Sequence, residues 1–119
     1  MIKNIEDILA WQKAKILTIY IYSSFKQCRD FSFKDQVQRA SISIMNNIAE
    51  GYERGSNKEF RQFLYIAKGS CGEVRSMLRV APELGLLSKD NSDLYIKQSE
   101  EISKIITSLI RSLVLHLSP

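Results

Sequence analysis

The feature that most constrains the fold of this chain is an apolar seam that ends directly before Pro82. Apolar residues recur along the seam at alternating intervals of four and three positions: Phe60, Leu64, Ala67, Cys71, Val74, Leu78 and Ala81. This spacing puts about one residue per turn on a single helix face, and such a face is stable only when other elements cover it. The seam therefore predicts a long amphipathic helix packed inside a larger helical assembly.

Helix-capping and helix-breaking residues divide the rest of the chain into further helical segments. Ser32 and Ser56 each precede an acidic residue by three positions, which is the spacing of a capping box at a helix start. Pro82 should kink or end the seam helix, because proline cannot supply the backbone N–H that a helix interior needs. These signals predict helices over residues 5–27, 33–53, 57–84 and 92–116.

Four helices with short connections predict an all-α fold, an antiparallel up-down-up-down four-helix bundle. The chain has 119 residues, enough for one such domain, and we treat 1–119 as a single four-helix bundle domain. The predicted core draws on all four helices: Leu9, Leu17, Tyr20, Ile44, Ile48, Leu64, Val74, Leu78, Ile102, Ile106 and Leu109.

Composition excludes several classes of protein. No apolar run approaches the roughly 18–20 residues that span a bilayer, and charges interrupt the first residues too often for a signal peptide. Cys28 and Cys71 are far apart and form no CxxC pair, so we expect reduced thiols in a cytoplasmic protein. The net charge of +4 is compatible with a polyanionic partner without indicating one.

The residue types that catalysis and metal binding need are nearly absent. The only histidine is His116, at the end of the last predicted helix, and no Glu-x-x-His pair for a di-iron bundle exists. Two distant cysteines and one histidine make no zinc site. Ser43 and Ser70 have no visible general base. We predict a non-enzymatic protein with no catalytic residue, no metal and no cofactor.

A polar stripe on the second predicted helix has an unusual composition. Its members fall within a sector of about 100°: Gln36, Arg39, Ser43, Asn46, Asn47, Glu50 and Arg54. Short amides and a hydroxyl suit hydrogen bonds at a partly buried contact better than a fully solvated face. Three interpretations are open, namely a solvated face, a structural hydrogen-bonding device, and a ligand or catalytic site. We favour the structural device.

We extend this device to the third helix and call it the polar motif: Gln36, Arg39, Ser43, Asn47, Glu50, Gly51, Arg54, Gly69, Ser70 and Glu73. Ser43, Asn47 and Glu50 lie three and four residues apart and are expected to form a ladder on one face. We expect Glu50 to be buried and ion-paired. Gly51 should let the third helix approach closely at Gly69–Ser70.

One side of the third predicted helix is basic, and we place it largely opposite the apolar seam. Its residues are the candidate nucleic-acid contacts, and we call them the basic stripe: Lys58, Arg61, Tyr65, Lys68, Arg75 and Arg79. Such a stripe is the usual footprint of a phosphate backbone, and a tyrosine among the charges can stack on a base. A solvated face explains the same pattern, so both interpretations stay open.

The first predicted helix is apolar around more of its circumference than one bundle interior requires. We place Trp11, Ile19 and Tyr22 outside the core, as subunit contacts or partly exposed side chains. This pattern predicts a homo-oligomer.

The segment QVQRASISIMNNIAEGYERGSNKEFRQFLYIAKGSCGEV resembles the four-helix bundle proteins encoded by intervening sequences in bacterial 23S ribosomal RNA genes. Its most specific pieces are Gln36, Arg39 and Ala40, then NIAEG at 47–51, and Gly69–Ser70 with Glu73. The resemblance extends from DILAWQKA near the start to the leucine-rich last helix. Pro82 departs from the family pattern and puts the straightness of the third helix in question.

The resemblance implies a relation to the accessory proteins of diversity-generating retroelements, which assemble as pentameric barrels and bind nucleic acid and a reverse transcriptase. It implies no established enzymatic activity. Two functions therefore remain. One is a self-assembling bundle, a pentamer by resemblance, that binds RNA or DNA through the basic stripe; the other is an oligomeric protein–protein scaffold with no nucleic-acid role.

Overall fold

A computed structural model describes residues 2–117 of the chain, and side chains as far as residue 114. A 3-10 turn at Ile5–Asp7 precedes four α-helices, which are α1 (Leu9–Ser24), α2 (Phe31–Glu53), α3 (Asn57–Val80) and α4 (Lys89–Leu117). Each helix packs against two neighbours in the cyclic order α1, α2, α3, α4, and the bundle measures 52 × 20 × 19 Å. The predicted all-α four-helix bundle is confirmed.

The start of α2 differs from the prediction. Asp30 caps this helix, because its carboxylate accepts a hydrogen bond from the backbone N–H of Phe33 at 3.0 Å. Ser32 therefore lies inside the first turn, and its prediction as the cap is wrong. Ser56 does cap α3, and its hydroxyl accepts from the backbone N–H of Glu59 at 3.2 Å.

The outer boundaries of α1 and α3 also shift. α1 begins at Leu9, because the preceding residues form the separate 3-10 turn in which the Asp7 side chain accepts from the backbone N–H of Asn4. α3 ends at Val80, two residues before Pro82, so the proline terminates the helix and does not kink it. Gly85 then takes a left-handed conformation, with φ of +72°, in the connection to α4.

The buried core contains most of the residues that the periodicity predicts. Buried as expected are Leu17, Ile44, Ile48, Leu64, Val74, Leu78, Ile102 and Ile106, whereas Leu109 is only partly buried. Leu9 and Tyr20 are 50% and 45% exposed, so their placement in the core is wrong. The bundle buries a neighbouring face of α1 that carries Ala10 and Ala14, whose small side chains let the other helices come close.

Buried serine hydroxyls fix the antiparallel register of α3 and α4. The hydroxyl of Ser99 donates to the carbonyl of Cys71 at 3.1 Å, and the hydroxyl of Ser92 donates to the carbonyl of Leu78 at 2.6 Å. A buried hydroxyl without a partner is costly, so a shifted register would be disfavoured. The two helices are therefore held in one alignment along the groove described below.

Candidate nucleic-acid interface

An open groove of about 520 Å³ runs along the outside of the α3–α4 interface. It is lined by Lys68, Arg75, Glu100, Ser103, Lys104, Thr107, Ser108 and Arg111. We call this set the basic groove, because four of its members are cations and one is a carboxylate. The remaining three are hydroxyl side chains, so the lining as a whole is suited to a hydrated, negatively charged ligand.

The cations of the two helices occupy successive positions along the basic groove. Lys68 and Arg75 are seven residues apart on α3, as are Lys104 and Arg111 on α4, and each pair therefore shares one helix face. The antiparallel register places Lys104 near Lys68 and Arg111 near the start of α3. At 1.5 Å per residue, the charges extend over roughly 24 Å from Arg75 to Arg111.

The cations of the basic groove are not neutralised by ion pairs within the described part of the chain. Arg75 is nevertheless held in place, because its Nη1 donates to the hydroxyl of Ser99 at 3.2 Å and to the carbonyl of Ser99 at 3.4 Å. Lys68 is half-buried, whereas Lys104 and Arg111 are exposed. Uncompensated positive charge in a groove focuses the electrostatic potential and attracts anions.

The Cys71 thiol lies inside the bundle next to this network. Burial raises the pKa of Cys71 to about 11, although the charge of Arg75 and a hydrogen bond with Ser99 act in the opposite direction. A reactive cysteine needs a lowered pKa, so this thiol is protonated and unreactive at neutral pH. The lining of the basic groove itself consists of cations, hydroxyls and one carboxylate.

The structure brings part of the predicted basic stripe into the groove. Lys68 and Arg75 line it, and Arg61 is half-buried on the same side of α3. The stripe flanks the apolar seam and does not lie opposite it, since Lys68 is only about 40° round the helix from the buried Leu64. Long basic side chains at such positions pack their stems beside the core and extend their charges outward.

The other stripe residues do not belong to the groove lining. Lys58 and Tyr65 are exposed on α3, and Tyr65 is 57% exposed. Arg79 lines a separate depression together with the acidic residues Glu83 and Asp93. The stripe therefore loses its purely basic character at the C-terminal end of α3.

Sequence reasoning missed the α4 half of the basic groove. The available signal was the seven-residue spacing of Lys104 and Arg111, which repeats that of Lys68 and Arg75 on the neighbouring helix. Periodicity shows which residues of one helix share a face, but it does not give the register between two helices. That register depends on Ser92 and Ser99, whose partners are carbonyl groups and so leave no sequence signature.

The uncharged centre of the polar motif forms a bridge between α2 and α3. The hydroxyls of Ser43 and Ser70 are 2.9 Å apart, and the Asn47 amide donates to the hydroxyl and the carbonyl of Ser43 at 2.9 and 2.8 Å. All three side chains are partly buried. These contacts agree with a structural role for this part of the motif.

The charged members of the polar motif lie on the surface. Glu50 was expected to be buried, but its side chain is 54% exposed and pairs with Arg54 at 2.8 Å, one turn along α2. The hydrogen bond to Glu50 raises the pKa of Arg54 above its ordinary value. Arg39 pairs in the same way with Asp35 at 2.8 Å. Arg54 also contacts α3, because its guanidinium lies 3.7 Å from the Glu59 carboxylate and 4.9 Å from the centre of the Phe63 ring.

Two further polar members do not join the bridge. The Gln36 amide donates to the hydroxyl of Ser32 at 3.2 Å, one turn earlier on α2. Glu73 is exposed and makes no ion pair or side-chain hydrogen bond with another described residue. Glu73 therefore takes no part in the polar contact between α2 and α3.

The two glycines of the polar motif have opposite surroundings. A Cβ atom placed on Gly51 would lie 2.6 Å from the Cβ of Phe63 and 3.2 Å from the ring of Phe60. The close approach at Gly51 is thus present. It faces these aromatic residues, whereas the prediction placed it at Gly69–Ser70. A Cβ atom on Gly69 would meet nothing within 4 Å, so no close helix contact explains that glycine within the bundle.

The three candidate oligomer contacts on α1 differ in exposure, because Trp11 packs partly against the core. Ile19 and Tyr22 are exposed, and Trp11 is half-buried. Leu9, Ile16 and Tyr20 add further exposed apolar surface to the same helix. The structure of one chain shows where these side chains lie, and their role in a subunit contact stays a prediction.

Within residues 2–117, no helix combines the length and the apolar composition that a membrane crossing requires. No three His, Cys, Asp or Glu side chains in this part of the chain cluster closely enough to hold a metal ion. The side chain of His116 lies outside the described residues.

The architecture and its groove together define a helical bundle with a cation-lined face. Residues 6–108 match the profile of the 23S rRNA-intervening sequence protein family, and the chain belongs to that family. The fold is also that of a crystal structure of a protein with unknown function from the S23 ribosomal protein family from Bacteroides thetaiotaomicron. The TM-score is 0.81 at 23% sequence identity, over 86% of this chain and 98% of that chain. No curated protein matches the chain.

Proposed function

We propose that this protein is a non-enzymatic, self-assembling four-helix bundle module that binds RNA or DNA through the basic groove. The observation that carries the proposal is the row of four cations, Lys68 and Arg75 on α3 and Lys104 and Arg111 on α4, without ion pairs among the described residues. A nucleic-acid backbone gains affinity from such cations because neutralised phosphates release their counterions.

Self-assembly and nucleic-acid binding use different parts of the bundle in this proposal. The exposed apolar residues Ile19 and Tyr22 belong to α1, and α1 makes no packing contact with α3. An assembly formed through α1 thus leaves the α3 side of the basic groove accessible. We extend the proposal to a cytoplasmic homo-oligomer, a pentamer by the resemblance to retroelement accessory proteins, and to kinship with those proteins.

Fluorescence anisotropy with labelled RNA and DNA oligonucleotides at increasing salt tests the binding function. The test variant replaces all four groove cations by glutamine. A matched control replaces four exposed cations elsewhere that form no ion pair with a described residue: Lys3, Lys15, Lys26 and Arg29. Each variant reduces the formal net charge from +4 to 0, that is 4 − 4 = 0, so the two differ only in where the charge is lost.

The wild-type affinity should fall steeply with salt. The groove variant should lose most of its affinity and reduce the slope of log K against log salt by about 3 for single strands, whereas the control should retain most of both. Equal losses in the two variants would contradict a role for this groove. Native mass measurement of the same samples tests assembly, and a monomer at micromolar concentration and physiological salt would contradict it.

The alternative function is an oligomeric protein–protein scaffold with no nucleic-acid role. The exposed apolar surface of α1 is the observation that favours it, because large exposed apolar patches mark protein contacts. Stoichiometric binding of a protein partner that does not depend on salt, together with no nucleic-acid binding, would support the scaffold.

A further inference from the structure

We infer that the basic groove receives a single strand of nucleic acid, laid along the groove with one unpaired base stacked on Tyr65, and that it discriminates against a duplex. This inference rests on the proposed function, because it specifies the form of nucleic acid that the same site binds. It is carried by the depth of the groove cations, by the exposed tyrosine beside them, and by the direction in which the basic character ends.

The partial burial of two groove cations favours a thin, flexible ligand. Lys68 and Arg75 are half-buried on the α3 side of the groove, and Arg75 is held there by Ser99. A duplex is stiff, and its convex surface presents phosphates to exposed side chains such as Lys104 and Arg111. A single strand can follow the groove and bring its phosphates to all four cations.

Tyr65 supplies the stacking surface that an unpaired base requires. It is 57% exposed and lies on α3 between Arg61 and Lys68. At 100° per residue it is displaced about 60° round the helix from Lys68, away from the buried seam. A base can stack on a tyrosine ring only when its own face is open, as it is in a single strand and not within a duplex.

Acidic residues border one end of the basic groove, whereas the other end remains basic. Beyond Arg75, the next cation, Arg79, lies in a depression of mixed charge that Glu83, Lys89 and Asp93 also line. At the other end, Arg111 is followed by the basic residues Lys58 and Arg61 near the start of α3. Phosphates are therefore attracted along the roughly 24 Å between Arg75 and Arg111. Glu100 lines the groove and weakens this attraction.

The experiment compares a single-stranded 12-nucleotide probe with a duplex of the same sequence, by anisotropy at constant salt. Tyr65→Ala should weaken single-strand binding by about 5- to 150-fold, the usual effect of losing one base stack. Tyr65→Phe should restore it, because phenylalanine keeps the ring. Phe31→Ala removes an exposed aromatic residue of α2 and is the matched control, expected to have no effect.

Duplex binding should be weaker than single-strand binding and insensitive to Tyr65→Ala. Glu100→Gln should strengthen single-strand binding, since it removes the carboxylate that repels phosphates. Equal or tighter duplex binding, or unchanged single-strand binding by Tyr65→Ala, would overturn this inference while leaving the basic groove as a nucleic-acid site. Absence of any salt-dependent binding by the wild-type protein would instead overturn the proposed function, and this inference with it.

Discussion

The α2–α3 and α3–α4 interfaces use the same apolar seam of α3, yet their outer edges differ. On the α2 side, Gly51 brings the helix backbone against the Cβ of Phe63, and short polar side chains meet across the contact. On the α4 side, the long side chains of Lys68 and Arg75 stand beside the seam. The first edge is closed, whereas the second remains open as a groove.

Side-chain length accounts for this difference. A serine or asparagine satisfies its hydrogen bonds within the reach of its own turn or of the facing helix, as Ser43 and Asn47 do. A lysine or arginine must extend its charge into water, because burying an unpaired charge is costly. Two polar helix edges of one protein thus differ in kind: one holds two helices together, and the other leaves its charges exposed.

The largest expected effect breaks the closed edge. Gly51→Ala adds a Cβ atom that would sit 2.6 Å from the Cβ of Phe63, where neither backbone can easily move. Overpacking of this kind costs about 1–3 kcal/mol, and Gly51→Leu should cost more. Urea unfolding at one fixed protein concentration measures the change in free energy. An alanine variant as stable as the wild type would show that α2 and α3 are not in close contact there.

The same substitution at Gly69 should have the opposite effect on the free energy of unfolding. Gly69→Ala places its Cβ atom in open space and removes the flexibility of a helical glycine. The variant should be more stable by up to about 1 kcal/mol, as judged by the same urea titration. Destabilisation by Gly69→Ala would mean that another surface packs against this position, and its dependence on protein concentration would show whether that surface belongs to a second copy.

The smallest effect is expected for the charge on the closed edge. Glu50→Gln removes an exposed ion pair with Arg54, and such pairs contribute at most about 0.5–1 kcal/mol. Glu53→Gln, an exposed carboxylate on the same turn of α2, provides the control. Thermal unfolding at low and high salt measures both. A loss of about 3 kcal/mol or more for Glu50→Gln would restore the interpretation of a buried, paired charge.

The sequence predicted the bundle because the α3 seam and the breaks between helices are local signals. The burial of individual side chains was harder to predict. Glu50 shares a helix face with Ser43 and Asn47, yet it is exposed, since the angular position of a residue does not show how far the neighbouring helix extends over it. Leu9 and Tyr20 were misplaced for a related reason: α1 is apolar on several sides, and the bundle buried the side with small alanines.

The site was predictable only in part. Lys68 and Arg75 follow from the composition of α3 alone. Lys104 and Arg111 complete the groove only in the register that the serine-to-carbonyl hydrogen bonds set, and a carbonyl group is common to every residue type. Contacts between a side chain and a backbone atom therefore cannot be predicted from the spacing of residue types, however regular that spacing is.

The anchoring of Arg75 by Ser99 has an entropic consequence. A free arginine side chain carries about 2 kcal/mol of rotamer entropy, which it gives up when it grips a ligand. Two hydrogen bonds from Nη1 to Ser99 have already removed part of that freedom, and they leave the rest of the guanidinium group to face the groove. Lys104 and Arg111 are exposed and form no ion pair with another described residue, so they give up more rotamer entropy than Arg75 when they bind a ligand. Arg75 is thus preorganised at one end of the groove, whereas the side chains of Lys104 and Arg111 can adjust their conformations to a ligand.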